Sequence, residues 1–134
     1  MKKTVRILIT LGCILVFSVP GIAVAKEKQT LTKFTIPAYQ GIGYTSQLTK
    51  TYTNDPWVIK IDDIGSTVIT QLDTGLLNSN GELRSQYARV RVIGRHVIPS
   101  TGTAGYWYKA FLMNSNSSWL KTTVSGSWSP DDRE

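Results

Sequence analysis

Apolar and polar residues alternate with a period of two along most of the chain, in short runs separated by clusters of Gly, Asn, Ser, Asp and Pro. No stretch carries convincing helical spacing, so the pattern predicts short strands joined by turns. Leu31 to Ile36 sets Phe34 and Ile36 on one face against Lys33 and Thr35, and stops at Pro37. Tyr44 to Tyr52 places Tyr44, Leu48 and Tyr52 opposite Thr45, Gln47, Thr49 and Thr51, before an Asn54-Asp55-Pro56 turn. Trp57 to Ile61 aligns Trp57, Ile59 and Ile61; after a break at Asp62-Asp63-Ile64-Gly65, Thr67 to Leu72 follows with strong β formers. Leu76 to Leu83 contains Asn80-Gly81, a pair suited to the positive φ angles of a tight hairpin.

The clearest alternation is Tyr87 to Ile93, with Ala88, Val90 and Val92 on one face and Arg89 and Arg91 on the other. Gly94 then allows a bulge that resets the pattern before His96. Tyr106 to Met113 puts Tyr106, Tyr108, Ala110 and Leu112 on one side and Trp107, Lys109, Phe111 and Met113 on the other, so both faces are expected to be covered. Trp119 to Trp128 aligns Leu120, Thr122, Val124, Gly126 and Trp128, and Pro130 with the acidic pair Asp131-Asp132 closes the fold. The sum is an all-β chain of about seven to eight short strands, a small antiparallel β-sandwich or open barrel.

The first 25 residues have a different character. Lys2, Lys3 and Arg6 precede an apolar stretch from Ile7 to Val19, then Pro20-Gly21, then Ala23-Val24-Ala25. This is the layout of a secretory signal peptide with cleavage after Ala25. An uncleaved anchor is disfavoured by the Pro20-Gly21 helix breaker, and lipidation at Cys13 by Thr10, which stands where an apolar residue is wanted. The expected organisation is a leader over 1–25 and one β domain over 26–134. The leader carries three of the 15 basic residues and none of the nine acidic ones, so the net charge falls from +6 to +3 on its removal. It also carries the only cysteine, so no disulfide partner remains. Together with export, that absence points mildly to a bacterial source, Gram-positive in the first instance.

Chemistry is sparse. His96 is the single histidine, which leaves no ordinary catalytic triad or zinc site to assemble, and no cofactor is expected. Asp62-Asp63, or Asp73 with Asn78, Asn80 and Glu82, match no calcium loop. Asp62, Asp63, Asp73 and Glu82 are the carboxylates from which a glycosidase pair would have to be drawn. Two binding features stand out. The first is the aromatic set Tyr39, Tyr44, Tyr52, Trp57, Tyr106, Trp107, Tyr108, Trp119 and Trp128, of which Trp107 and Trp119 lie opposite the core parity. The second is the basic stripe of Arg89, Arg91 and Arg95 with Lys109, suited to phosphate or carboxylate groups. A net charge of +3 and the lack of any nucleic-acid module exclude nucleic acid as the expected partner.

Several short motifs resemble a known family. Asn54-Asp55-Pro56-Trp57-Val58, the strand at Tyr108-Lys109-Ala110, the Asn/Ser loop over 114–118 and the closing Val124-Ser125-Gly126-Ser127-Trp128 before acidic residues are similar to small secreted bacterial proteins catalogued as domain of unknown function 2712. Here Ser129-Pro130 separates Trp128 from Asp131, a departure from that pattern. The resemblance implies no catalytic residue; some members are associated with bacteriocin-type loci, which implies a role at the envelope or in antagonism. The expected function is that of a secreted non-enzymatic protein at or near the bacterial cell envelope, meeting an anionic wall polymer, a glycan or a membrane surface. A bacteriocin-like effector and a wall-glycan hydrolase are the alternatives.

Overall fold

In the computed structural model, residues 26–66, 71–91, 93–115 and 121–133 are described. The expected leader with its cleavage point at Ala25, and Trp119, lie outside them. Nine strands and no helix occur among the described residues: β1 (Gln29–Ile36), β2 (Ile42–Tyr44), β3 (Leu48–Thr49), β4 (Trp57–Ile64), β5 (Gln71–Asn78), β6 (Ala88–Arg91), β7 (Gly94–Ile98), β8 (Trp107–Asn114) and β9 (Thr122–Ser129). They form two antiparallel sheets, one in the order β1-β9-β4-β7 and the other β2-β8-β5-β6, with β3 also on β8. This is the expected all-β sandwich.

The period-two pattern explains the core. Leu31, Ile36, Trp57, Ile59, Ile61, Val124 and Trp128 project from the first sheet onto Leu72, Leu76, Val90, Tyr108, Ala110 and Leu112 of the second, all of them buried. Trp57 and Trp128 meet edge to face, with ring centroids 6.4 Å apart and planes at 79°, a favoured aromatic geometry. The edge strands β6 and β7 belong to different sheets, and the chain crosses between them at Gly94, whose φ of 141° suits glycine. The reset expected at this residue is therefore a change of sheet.

Four boundaries differ from the sequence pattern, each for a local reason. Tyr44 to Tyr52 is not one strand: Thr45 turns inward, and its Oγ1 accepts the Ala110 N–H at 2.9 Å while its own N–H donates to Ala110 O. A side chain thus stands in for the ladder between β2 and β3. The Asp62-Asp63 break is instead absorbed within β4 as a bulge between Ile61 and Asp63. Polar Lys26 to Thr30, which carries no alternating pattern, includes the start of β1, and Ser129 Oγ donates to Glu27 O. At Asn80-Gly81 only Gly81 has positive φ, and Asn78 and Glu82 pair across a three-residue loop, the turn-plus-glycine form of hairpin.

The acidic end is not a solvated tail. Lys50 is fully buried, and its Nζ donates to Asp55 O at 2.7 Å, to Pro130 O, and to Asp131 Oδ1 at 3.3 Å. Asp131, equally buried, also accepts the N–H groups of Thr51 and Tyr52 at 2.7 and 3.0 Å. Asp55 accepts the N–H groups of Asp132 and Arg133 and the Arg133 guanidinium. Two loops and the chain end are thereby tied at one end of the sandwich. Burial pulls the Lys50 ammonium below its ordinary range against the opposing pull of Asp131 and Asp55.

Candidate functional site

The outer face of the second sheet collects most of the residues singled out by parity. Trp107, Lys109, Phe111 and Met113 of β8 share it with Asp73 of β5 and Arg89 and Arg91 of β6, because alternate residues point to opposite faces. Trp107 is 59% exposed, as its parity requires, whereas Phe111 is buried. The Phe111 ring covers Gly75, where an added Cβ would lie 2.7 Å from Cε1, and packs on Tyr87 at 5.9 Å between centroids. That accounts for the expected cover on the outer side of β8.

The basic stripe is not one site. Arg89 Nε donates to Asp73 Oδ1 at 2.9 Å, and Tyr87 donates to Asp73 Oδ2 at 2.9 Å. The Asp73 carboxylate raises the Arg89 guanidinium further above its usual value. Burial, followed by the bond to Asp73, pushes the Tyr87 phenol up. Lys109 Nζ lies 4.7 Å above the exposed Tyr44 ring, a cation–π contact. Arg91 pairs in register with Gln71, eight residues along the sheet from Trp107, which is roughly 27 Å at about 3.4 Å per residue. Arg91 therefore does not meet Trp107 on one ligand and Arg89 is held by Asp73, whereas Lys109 lies two residues from Trp107 on the same face of β8.

What does converge lies at the Trp107 end. A cleft of about 420 Å³ opens between the Asn78–Glu82 hairpin and the 99–106 loop. Tyr106, Trp107 and Tyr108 supply its aromatic lining; Asn78, Ser79, Asn80, Arg84, Thr101 and Thr103 supply amides, hydroxyls and a guanidinium. Tyr106 was expected on the core side with Tyr108, but it is 65% exposed. It precedes β8 and is held in the loop by its carbonyl, which accepts the Lys50 N–H at 2.9 Å. The ladder that would turn it inward starts one residue later.

Both walls are fixed by hydrogen bonds in which several of the lining side chains take part. Asn78 Oδ1 accepts the N–H groups of Asn80 and Glu82 at 3.0 and 2.9 Å, shaping the hairpin tip. Glu82 Oε2 accepts from Asn78 Nδ2 and from Arg84, which orients both donors. In the opposing loop, the buried Tyr108 hydroxyl accepts the Thr103 N–H at 2.7 Å, Gly102 N donates to Ser100 Oγ, and Ala104 N donates to Thr53 Oγ1. Thr101 N donates to Arg84 O at 2.8 Å, joining the two walls. Such a cleft is formed before any ligand arrives.

Flat exposed rings in a cleft also lined by hydroxyl, amide and guanidinium side chains suit a polar ligand with flat faces, a sugar ring above all. The four carboxylates considered for glycoside cleavage are dispersed. Asp62 and Asp63 lie on β4 of the first sheet, with Asp62 paired to Lys60; Asp73 is bound to Arg89 and Tyr87; Glu82 is bound to Arg84. Among the described residues no group of three or more His, Cys, Asp or Glu is placed to hold a metal ion. Arg84, Thr101 and Thr103 are not singled out by the sequence, and Asn78 only as a candidate calcium ligand, because residues in turns carry no signal of what the fold places opposite them. Comparison of the chain with family models, with curated proteins and with solved structures returns no match.

Proposed function

We propose that the protein is a secreted, non-enzymatic glycan-binding β-sandwich that acts at the bacterial cell envelope, with Tyr106 and Trp107 as its stacking platform. The observation that carries this reading is the preformed cleft of about 420 Å³ in which two exposed aromatic side chains share the lining with Asn78, Arg84, Thr101 and Thr103. Large exposed rings are costly on a surface without a partner, and Trp, Tyr and Arg are the side chains that most often anchor binding. Dispersal of the carboxylates among separate ion pairs favours binding over hydrolysis. The signal-like leader and the resemblance to domain of unknown function 2712 supply the envelope context.

Co-sedimentation of purified protein with insoluble cell-wall polysaccharide tests the reading. The wild-type protein is expected to pellet with the wall material, and Trp107→Ala to weaken binding about tenfold or more, the scale of a binding anchor. Retention of Trp107→Ala at the wild-type level would refute the assignment of this cleft.

A further inference from the structure

Among the described residues, four cations come together on the other side of the molecule. A groove of about 380 Å³ crosses the outer face of the first sheet, lined by Lys26, Lys28, Lys60 and Arg95 with Val58, Ser127 and Ser129. Its construction follows from register. Lys60 of β4 pairs with Arg95 of β7 on one side and with Ser127 of β9 on the other, and Val58 pairs with Ser129. The small serines of β9 therefore form a trough beside the Lys60–Arg95 row, and the chain leading into β1 brings Lys26 and Lys28 to its border.

Four cations here face two carboxylates. Lys60 pairs with Asp62 at 3.2 Å, both side chains being more than half exposed, and Arg95 pairs with Asp132. Lys26 Nζ donates to the Asp132 backbone carbonyl at 3.2 Å, which leaves its charge uncompensated, and Lys28 is exposed. Exposed pairs of this kind exchange readily with an incoming anion. A concave seat with cations along its border fits a discrete multivalent anion that enters it, whereas a flat bilayer surface would need the charges on a projecting face.

We infer that this groove is a phosphate-binding site, separate from the aromatic cleft, whose ligand is the repeating phosphate of a polymer. The ammonium groups of Lys26, Lys28 and Lys60 and the Arg95 guanidinium are its donors. The site does not depend on glycan binding, since its residues belong to the opposite sheet.

Isothermal titration of purified protein with linear inorganic polyphosphate tests the inference, alongside sedimentation with phosphatidylglycerol vesicles. Polyphosphate is expected to bind, more weakly as salt is raised. Lys28→Gln, an exposed change, is expected to reduce affinity about fivefold, and Lys60→Gln combined with Arg95→Gln about twentyfold or more. Thermal melting confirms that the variants remain folded. Trp107→Ala should bind polyphosphate as the wild type does, so failure of the glycan reading and failure of this one are distinguishable. Absence of polyphosphate binding, or binding that both groove variants leave intact, overturns the inference. Vesicle binding that Lys28→Gln removes, without polyphosphate binding, overturns it in favour of a bilayer surface.

Discussion

Lys50 shows how a single residue can organise one end of this fold. Its ammonium is out of water, yet each direction it points meets an oxygen: the carbonyls of Asp55 and Pro130 and the carboxylate of Asp131. Gly102 lies against its aliphatic stem, where an added Cβ would stand 2.7 Å from Cδ. Removing one member of such a buried pair strands the other, so Lys50→Met is expected to destabilise the protein by about 3 kcal/mol in urea unfolding, even though methionine fills most of the space. Asp55 works through pH. Burial alone would raise its pKa, but the Arg133 and Asp132 N–H groups and the Arg133 guanidinium outweigh it and hold the carboxyl below the usual range. A depressed folded-state pKa means that the stabilisation is complete above the unfolded-state value, about 3.9 for Asp, and is lost as pH falls through the lower folded-state value. Melting temperatures measured from pH 6 downward should therefore fall less steeply for Asp55→Asn than for the wild type below about pH 4.

At the scale of elements, alternation identified β1, β4, β6, β8 and β9 because each lies between a packed face and a wetter one, so its side chains had to obey the pleat. It failed where something other than the pleat decides. Thr45 replaces a ladder bond with its hydroxyl, Lys33 adopts φ of 45° at a bulge in β1, and Tyr106 precedes its ladder. The stacking candidate Trp107 was legible from parity; the polar wall facing it was not, since its residues come from two turns that only the tertiary fold brings together. Nor was the basic groove legible, because Lys60, Arg95 and Lys26 meet through strand order across the first sheet. Gly126 is a further case of strand-to-strand constraint. An added Cβ would fall 1.9 Å from the Lys60 carbonyl oxygen, beside the β4 bulge. Gly126→Ala is therefore expected to cost about 2 kcal/mol by forcing β9 and β4 apart, measurable by chemical denaturation, and a wild-type midpoint would contradict that geometry.

The whole molecule presents two different faces. An aromatic and polar cleft sits at one end of the second sheet, and a basic groove crosses the first, with the buried Trp57–Trp128 pair in the core between the sheets. A modest net charge of +3 after loss of the expected leader is thus unevenly spread, and its local concentration carries the electrostatics. If both proposed sites bind, two contacts on opposite faces would raise retention among wall polymers without new affinity at either site. The proposed role of the Tyr106–Trp107 cleft is to receive a sugar ring. Titration with soluble wall-glycan fragments, followed by intrinsic tryptophan fluorescence in a Trp119→Phe background, reads this contact, because among the described tryptophans Trp107 is exposed whereas Trp57 and Trp128 are fully buried. The account predicts a saturable change in emission, absent in Trp107→Ala and shifted to about tenfold higher concentration in Tyr106→Ala. A saturable response that survives in Trp107→Ala, or no response at all, would contradict it.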